Sequence, residues 1–283
     1  MPQPVDRAGP PNLRLRLSNR PENVMLVRQV LTGIGEAVEL PAVELNDIST
    51  AVTEACNNVV LHAYEGQQGP LEVDVHLLQG EIKVVVRDDG VGVSPASQPS
   101  QETAGLGIAV IKALAARAQF RAVPAQGTEV DMTFRADQAL VGEPGANLPA
   151  RAETELGATV ELALAPASLI ATVLPRLLSV LAARAHFRTD RIADVQLLAD
   201  ALAAEVPSSI AGSYLRITVS VGPHDLELRI APLRGGRSEQ LMLDAALEGL
   251  APVIGKLTDR HSVSSHDQAP DAETLALRLL DHR

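Results

Sequence analysis

The stretch that decides the fold is Glu54-Ala-Cys-Asn-Asn-Val-Val-Leu-His-Ala-Tyr64. Glu54, Asn58 and His62 are spaced four residues apart, so on an α-helix they lie along one face. A carboxylate can accept a proton, and an amide oxygen suits Mg²⁺, which prefers hard oxygen ligands. The row predicts a helix whose polar face acts on one ligand. For this segment alone, a solvated polar face is the alternative interpretation.

A second polar group follows the apolar run 84–86, where the chain reads Asp88-Asp-Gly90-Val-Gly92. A carboxylate here leaves a predicted strand just where glycines let the backbone approach a ligand closely. Asp88 can accept a hydrogen bond from an exocyclic amino group such as that of adenine, directly or through water. An ordinary Asp-Gly turn after a strand is the alternative.

A third group, Gly105-Leu106-Gly107, opens a predicted helix. Free N–H groups and the helix dipole at such a start favour an anion such as phosphate. A lone Gly-x-Gly is weak evidence. The three groups nevertheless occur in order along the chain, and Gly127-Thr128 enters the next strand as a fourth, so the combination is specific.

The sequence around these groups alternates between helical and strand patterns. Leu13, Leu15 and Leu17 alternate with polar residues, which is typical of a half-buried strand. The predicted elements are a strand at 13–17, a helix at 24–34, a helix at 44–63, strands at 71–78 and 81–87 joined by a turn, a helix at 105–117 and a strand at 128–134.

The length of 283 residues favours two domains over one. Residues 136–155 combine glycines and prolines with small and charged residues, which predicts a linker. Residues 1–12 are rich in proline and polar residues and are interpreted as a flexible tail. The expected domains are therefore 13–135 and 156–283.

The second domain repeats the hydrophobic pattern of the first. A shift of 147 residues places the first strand, 13–17, on residues 160–164. With a shorter loop afterwards, the hairpin 71–87 matches 214–231. We interpret the second half as a degenerate copy, with chance agreement between two amphipathic domains as the alternative.

Charge and composition narrow the ligand classes. The net charge of −11 without a basic block argues against a nucleic-acid or anionic-membrane partner. Aromatic residues make up only 2% of the chain, so base stacking is poorly provided for. We expect a protein partner or a small ligand.

The single cysteine, Cys56, excludes an intramolecular disulfide and fits a reducing cytoplasm. It lies between the motif residues and is interpreted as a buried packing residue rather than a nucleophile. The N-terminal residues lack the pattern of a signal peptide, and the apolar stretch 162–183 is broken by prolines and an arginine. These features predict a cytoplasmic protein with no membrane span.

The three motif groups resemble those of the GHKL ATPases, and within them the small bacterial anti-sigma-factor serine/threonine kinases. Residues 54–64 resemble the family's N box, Asp88-x-Gly90-x-Gly92 its adenine box, and Gly105-Leu-Gly107 its phosphate-binding glycine box. The resemblance covers 13–135. It implies an α+β fold of Bergerat type, an α/β sandwich whose mixed, mostly antiparallel sheet is covered by helices on one face. Two such domains stand in tandem in this interpretation, the second degenerate.

The resemblance also implies roles in binding ATP and Mg²⁺. Glu54 becomes the catalytic base, Asn58 the Mg²⁺ ligand, Asp88 the adenine-recognition carboxylate, and residues 93–104 a short lid. Leu61 stands where the family often has a basic residue, which puts one phosphate contact in doubt. The other residues expected to contact the nucleotide are His62, Gly90, Gly92, Gly105, Leu106, Gly107, Thr128 and Arg28.

Two of these assignments carry an alternative interpretation. Arg28 is expected to contact the phosphates or a protein partner, and its alternative is a solvated helix arginine. His62 is either a pocket contact or a structural helix residue.

The segment between the first predicted strand and Glu54 has only about 40 residues, too few to hold the phosphoacceptor-histidine hairpin of sensor histidine kinases. The resemblance therefore implies a kinase that phosphorylates a STAS-domain anti-anti-sigma protein and sequesters a sigma factor. One alternative is a non-catalytic protein that holds a partner in an ATP-dependent way. Another is an ATPase that drives conformational change, which the short lid and the lack of a middle domain disfavour.

The second half lacks the site residues. It has Ala201, Glu205 and Ser209 at the positions that match Glu54, Asn58 and His62, while Pro232 replaces Asp88 and Ala251 replaces Gly107. We expect no ATP site there. The family's kinases usually act as homodimers, so the second half is expected to pack as an internal pseudo-dimer partner in a monomer, with a homodimer as the alternative.

Overall fold

The computed structural model describes residues 9–90, 104–123, 127–136, 148, 157–244, 253–266 and 269–282. Gly92, Ala251 and nearly all of the predicted lid lie outside these residues, as does most of the predicted linker. Ala136 and Leu148 are the described residues of that linker, and both are buried, Leu148 beside Ala163 and Ala165. Asn12, expected in the flexible tail, is buried, and its side-chain oxygen accepts a hydrogen bond from the Leu77 N–H at 2.7 Å.

The first half has two long helices before a strand hairpin, as predicted. Its elements are β1 (Leu13–Ser18), α1 (Pro21–Ala37), α2 (Ala42–Asn58), a π-turn (Val59–Ala63), β2 (Pro70–Leu78), β3 (Glu81–Asp88), α3 (Ala104–Leu114), β4 (Arg117–Val123) and β5 (Gly127–Arg135).

Several helix boundaries differ from the prediction, and the first helix is longer at both ends. The second helix is α-helical only to Asn58, and the third ends at Leu114 rather than Arg117. The strand β4 was not predicted. Its sequence begins beside an alanine-rich helix end, where intrinsic propensity favours helix, and pairing with β5 overrides that local preference.

The second half contains β6 (Thr159–Leu164), a 3₁₀ turn (Ala167–Leu169), α4 (Ile170–Arg184), α5 (Thr189–Ser209), β7 (Leu215–Gly222), β8 (Asp225–Arg234), α6 (Arg237–Asp244), α7 (Val253–Leu257), β9 (Arg260–His266) and β10 (Ala269–Leu280).

All ten described strands form one sheet in the order β4-β5-β3-β2-β1-β6-β7-β8-β10-β9. Every pairing between them is antiparallel. The two halves meet at β1 and β6, where Leu13 pairs with Leu164 and Arg16 with Glu161. Going outward from this central pair, the strands of the two halves follow equivalent orders.

The core lies between the sheet and the helices. Leu13, Leu15 and Leu17 of β1 are each at most 1% exposed, and burying one such leucine contributes about 1.5–3 kcal/mol. The helices α1 and α4 pack across the junction of the halves. Their approach requires a glycine, because a β-carbon at Gly33 would lie only 2.6 Å from the Thr172 carbonyl oxygen.

Polar contacts also cross this junction. Arg184 donates to the Asn23 side chain at 2.8 Å and to the Glu22 carbonyl, and Arg176 donates to Glu36 at 2.5 Å. The first half therefore depends on the second for part of its packing around α1.

Within the described residues, the segment Ala167–Arg184 is long and apolar enough to span a membrane by length and composition. Its apolar side chains Val173, Leu174, Leu177 and Leu178 are fully buried, and α4 packs between α1 and α5. This is the environment of a core helix.

The sheet face opposite the helices carries a charged ladder across β1, β2, β3 and β5. Asp74, whose side chain is 2% exposed, accepts hydrogen bonds from Arg14 at 2.7 Å and Arg87 at 2.5 Å. Arg87 also donates to Glu129 at 2.8 Å. These pairs fix β2 and β3, the strands that lead to the predicted adenine corner.

Candidate functional site

The orientation of α2 follows from its apolar side. Val52 and Cys56 are fully buried against the core, so Glu54 and Asn58 lie on the half-exposed side of the helix. Burial raises the pKa of the Cys56 thiol to about 12. Cys56 is therefore a packing residue, as the sequence predicted, because an inert thiol is a poor nucleophile.

The π-turn Val59–Ala63 changes the continuation of the motif helix. Hydrogen bonds in a π-turn run between residues five apart, so side chains four apart no longer stack as in an α-helix. Leu61 and His62 are both exposed. No hydrogen bond within the described residues joins His62 to Glu54 or Asn58. The predicted three-residue row is thus a pair followed by an exposed histidine.

The start of α3 lies directly over this pair. A β-carbon placed on Gly107 would be 3.1 Å from Glu54 Oε2 and 3.7 Å from Asn58 Oδ1. Glycine at this position lets the first turn of α3 approach a carboxylate and an amide closely. The Leu106 side chain is 68% exposed, so the protein core does not hold it.

Asp88 ends β3 as a buried carboxylate with fixed hydrogen bonds. Its Oδ1 accepts the N–H groups of Gly90 at 2.9 Å and Thr128 at 3.1 Å. Burial raises the pKa of Asp88, and the two main-chain hydrogen bonds oppose that rise. The carboxylate is therefore held in one orientation rather than free in solvent.

Two glycines allow the backbone to close around Asp88. Gly127 has φ of +83°, and a β-carbon there would overlap the Asp88 carbonyl. A β-carbon at Gly90 would overlap the carbonyl of Ala63, the last residue of the π-turn. The adenine corner predicted from Asp88 and Gly90 is thus packed against the end of the motif helix.

Sequence reasoning assigned no role to Tyr64. Its hydroxyl group donates to the Pro70 carbonyl at 2.5 Å and accepts the Asp89 N–H at 2.8 Å. The chain contains only two tyrosines, and this one ends the motif. Tyr64 is half-buried, and a tyrosine that packs against the protein usually finds a partner for its hydroxyl, which was the available signal.

Arg28 lies on the exposed side of α1. No hydrogen bond or ion pair joins its side chain to Glu54, Asn58 or Asp88 in the described part of the chain. Contact of Arg28 with the phosphates or with a protein partner stays a prediction. Gly105 belongs to the first turn of α3, as expected.

The residues present fit Mg²⁺ and a nucleotide. Mg²⁺ uses one or two protein oxygens together with substrate phosphates and water, and Asn58 offers an amide oxygen beside the start of α3. No group of three or more His, Cys, Asp or Glu that could hold a metal occurs within the described residues. A site that relies on phosphate oxygens does not need such a group.

The matching positions of the second half have different chemistry. Ala201 is buried, and the Ser209 hydroxyl donates to the Glu205 carbonyl of its own helix at 3.3 Å. Pro232 is buried in β8, where it offers no carboxylate. No acid and amide pair is found at these positions.

Comparison with known proteins places the similarity in the first half. The family model described as a histidine kinase-like ATPase domain matches residues 17–134. An anti-sigma F factor of Caldanaerobacter subterraneus is 30% identical over 130 residues, covering 43% of this chain and 91% of that protein. An anti-sigma F factor of Pasteuria penetrans is 29% identical over 131 residues, covering 42% of this chain and 87% of that protein.

Among solved structures, the histidine kinase domain of a blue-light activated histidine kinase from Erythrobacter litoralis is 22% identical. The match covers 34% of this chain and 46% of the kinase chain, with a TM-score of 0.29. This likeness is too weak to support an argument.

Proposed function

Since the chain belongs to the histidine-kinase-like (GHKL) ATPase family and is similar to anti-sigma F factors, we propose that it is an ATP- and Mg²⁺-dependent serine/threonine protein kinase of the anti-sigma type. Its substrate is a STAS-domain anti-anti-sigma protein, and it sequesters a sigma factor in the bacterial cytoplasm. The observation that supports this best is the approach of Gly107 to Glu54 and Asn58. It brings a carboxylate, an amide and the main-chain N–H groups of a helix start close together, and in this proposal they act as base, metal ligand and anion donors.

The residues divide the work in this proposal. Asp88 accepts a hydrogen bond from the adenine amino group, and the N–H groups at the start of α3 bind phosphate oxygens. Glu54 takes the proton from the attacking serine or threonine hydroxyl, whose oxygen forms the new bond to the γ-phosphorus as the bond to the β-phosphate oxygen breaks. Asn58 holds Mg²⁺, which neutralises charge on the phosphates when bound.

The position of the Glu54 carboxylate favours a kinase over a protein that only binds ATP. Glu54 lies beside Gly107 at the start of α3, where we expect the γ-phosphate. A pocket that only binds ATP does not need a base at that position. Positioning and electrostatic stabilisation supply most of the rate in phosphoryl transfer. The pair on α2, with the start of α3 close to it, suits that requirement.

We also propose that residues 13–135 form the kinase domain, that 136–155 link the halves, and that 156–283 are a degenerate copy without an ATP site. Support comes from the central β1–β6 pairing and the equivalent strand orders on either side of it. In this proposal, the second half takes the place of a second subunit.

The proposal is tested by measuring transfer of the γ-phosphate from ATP to STAS proteins encoded near this gene. We expect transfer by the wild type, loss of transfer in Glu54→Gln with ATP binding retained, and normal transfer in the control Glu39→Gln, whose side chain is exposed. ATP binding without transfer to any STAS protein contradicts the kinase and favours a non-catalytic, nucleotide-dependent regulator.

A further inference from the structure

The hydroxyl group of Tyr64 lies between the ends of two paired strands. Leu71 of β2 pairs with Asp88 of β3, so the same register places Pro70 opposite Asp89. The Tyr64 hydroxyl accepts the Asp89 N–H at 2.8 Å and donates to the Pro70 carbonyl at 2.5 Å. A side chain thus bridges the position where the strand ladder would make its next hydrogen bond.

The ring of Tyr64 is itself held in place. A β-carbon at Gly69 would overlap the ring, so the tyrosine packs flush against the backbone just before β2. Tyr64 directly follows Ala63, whose carbonyl contacts Gly90. The end of the motif helix therefore contacts the Asp88–Gly90 corner through both a side chain and the main chain.

We propose that Tyr64 is a positioning residue for recognition of the nucleotide base. It fixes the Asp89 peptide and, through it, the direction in which the Asp88 carboxylate points. This inference rests on the proposed function, in which Asp88 receives the adenine amino group. It adds a residue that ties the helix carrying Glu54 and Asn58 to the base pocket.

Loss of the Tyr64 hydroxyl should affect base recognition more than folding. A tyrosine hydroxyl can donate and accept at once, and phenylalanine can do neither. Asp89 is exposed, so water can replace the lost partner of its N–H and the cost in folding is small. Water does not fix the direction of the peptide, so base recognition should suffer more than folding.

The chain offers a matched control because its other tyrosine, Tyr214, lies in the second half and packs beside Leu148, Ala163 and Ala165. Tyr64→Phe and Tyr214→Phe are compared with the wild type. Affinities for ATP and for inorganic triphosphate are measured with Mg²⁺ by displacement of a labelled nucleotide, and thermal unfolding is recorded for each protein.

We expect Tyr64→Phe to weaken ATP binding about 3- to 10-fold, the range of one net hydrogen bond, and to leave triphosphate affinity unchanged. Tyr214→Phe should change neither affinity. Equal weakening of both ligands, or unchanged ATP affinity, overturns the role of Tyr64. Failure of the wild type to bind ATP would instead count against the proposed function, and is seen before any variant is made.

Discussion

At the scale of single residues, the proposed site depends on a carboxylate whose ionisation is disfavoured by burial. Asp88 is 5% exposed, and burial raises its pKa despite the hydrogen bonds from Gly90 and Thr128. A carboxylate that accepts a hydrogen bond from a ligand is most useful when ionised, so the site accepts a cost in folding. Such costs are common at functional sites.

This cost predicts how stability depends on pH. Because the folded-state pKa of Asp88 is raised above its unfolded value, the folded state binds more protons in the window between the two values, and stability falls as pH rises through it. Asp88→Asn removes the ionisation. We therefore expect the unfolding free energy of Asp88→Asn, relative to wild type, to increase as pH rises from about 4 towards neutrality in urea titrations.

The neighbouring variant Asp89→Asn is the control, because Asp89 is exposed. The unfolding free energy of Asp89→Asn, relative to wild type, should not increase with pH as that of Asp88→Asn does. A relative stability of Asp88→Asn that stays flat or decreases with rising pH would mean that burial does not govern this carboxylate.

At the scale of elements, we expect the proposed kinase activity to depend on the contact between α2 and the start of α3. In Gly107→Ala, the new β-carbon would lie 3.1 Å from Glu54 Oε2 and displace the carboxylate. Alanine improves helix propensity by about 1 kcal/mol, so we expect unchanged or slightly higher stability together with at least about a tenfold loss of phosphate transfer. Calorimetric melting and the transfer assay measure the two effects.

Gly222→Ala is the matched control for this prediction. A β-carbon at Gly222 would make an ordinary contact of 3.5 Å with Asp225, far from the site residues in sequence. Its activity should equal that of the wild type. Full activity in Gly107→Ala would show that the closeness of α3 to Glu54 is not needed.

The charged ladder on the open face of the sheet also acts between elements, because its ion pairs join neighbouring strands. Asp74→Asn leaves Arg14 and Arg87 without their shared buried carboxylate, and we expect it to lower the unfolding free energy by about 3 kcal/mol in urea titrations. Glu81→Gln removes an exposed pair with Arg117 and should cost less than about 1 kcal/mol. Similar costs for the two variants would contradict this account of the ladder.

At the scale of the whole molecule, the proposed internal copy predicts an oligomeric state. The β1 edge of the first half is already paired with β6, and α1 is covered by α4. The β1 edge and the side of α1 that packs on α4 are therefore not free for a second chain. We expect a monomer in sedimentation equilibrium across micromolar concentrations, and a stable homodimer would contradict the proposal that the second half replaces a subunit.

Much of this architecture follows from local patterns in the chain. The spacing of Glu54 and Asn58, the strand exit at Asp88 and the glycine at 107 each have a local signature, and the structure brings Glu54, Asn58 and Gly107 together. The period-two pattern of 13–17 likewise predicted β1. These features need only the period of a helix or strand and the freedom of glycine.

Other features arise from tertiary contacts that local patterns do not encode. The strand β4 forms because β5 pairs with it, against the helical preference of the residues before it. The π-turn exposes His62, which α-helical spacing alone would keep in the motif row. Tyr64 meets Asp89 only once β2 and β3 are paired, and the single ten-stranded sheet depends on β1 meeting β6.

The most direct test of the central claim is a calorimetric titration of the full chain with ATP in the presence of Mg²⁺, repeated with Asp88→Asn. The account predicts one ATP bound per wild-type chain, because only the first half has the acid, amide and glycine groups, and no binding to Asp88→Asn. Absence of binding to the wild type would contradict the nucleotide site, and two ATP molecules per chain would contradict the assignment of the second half as a copy without one.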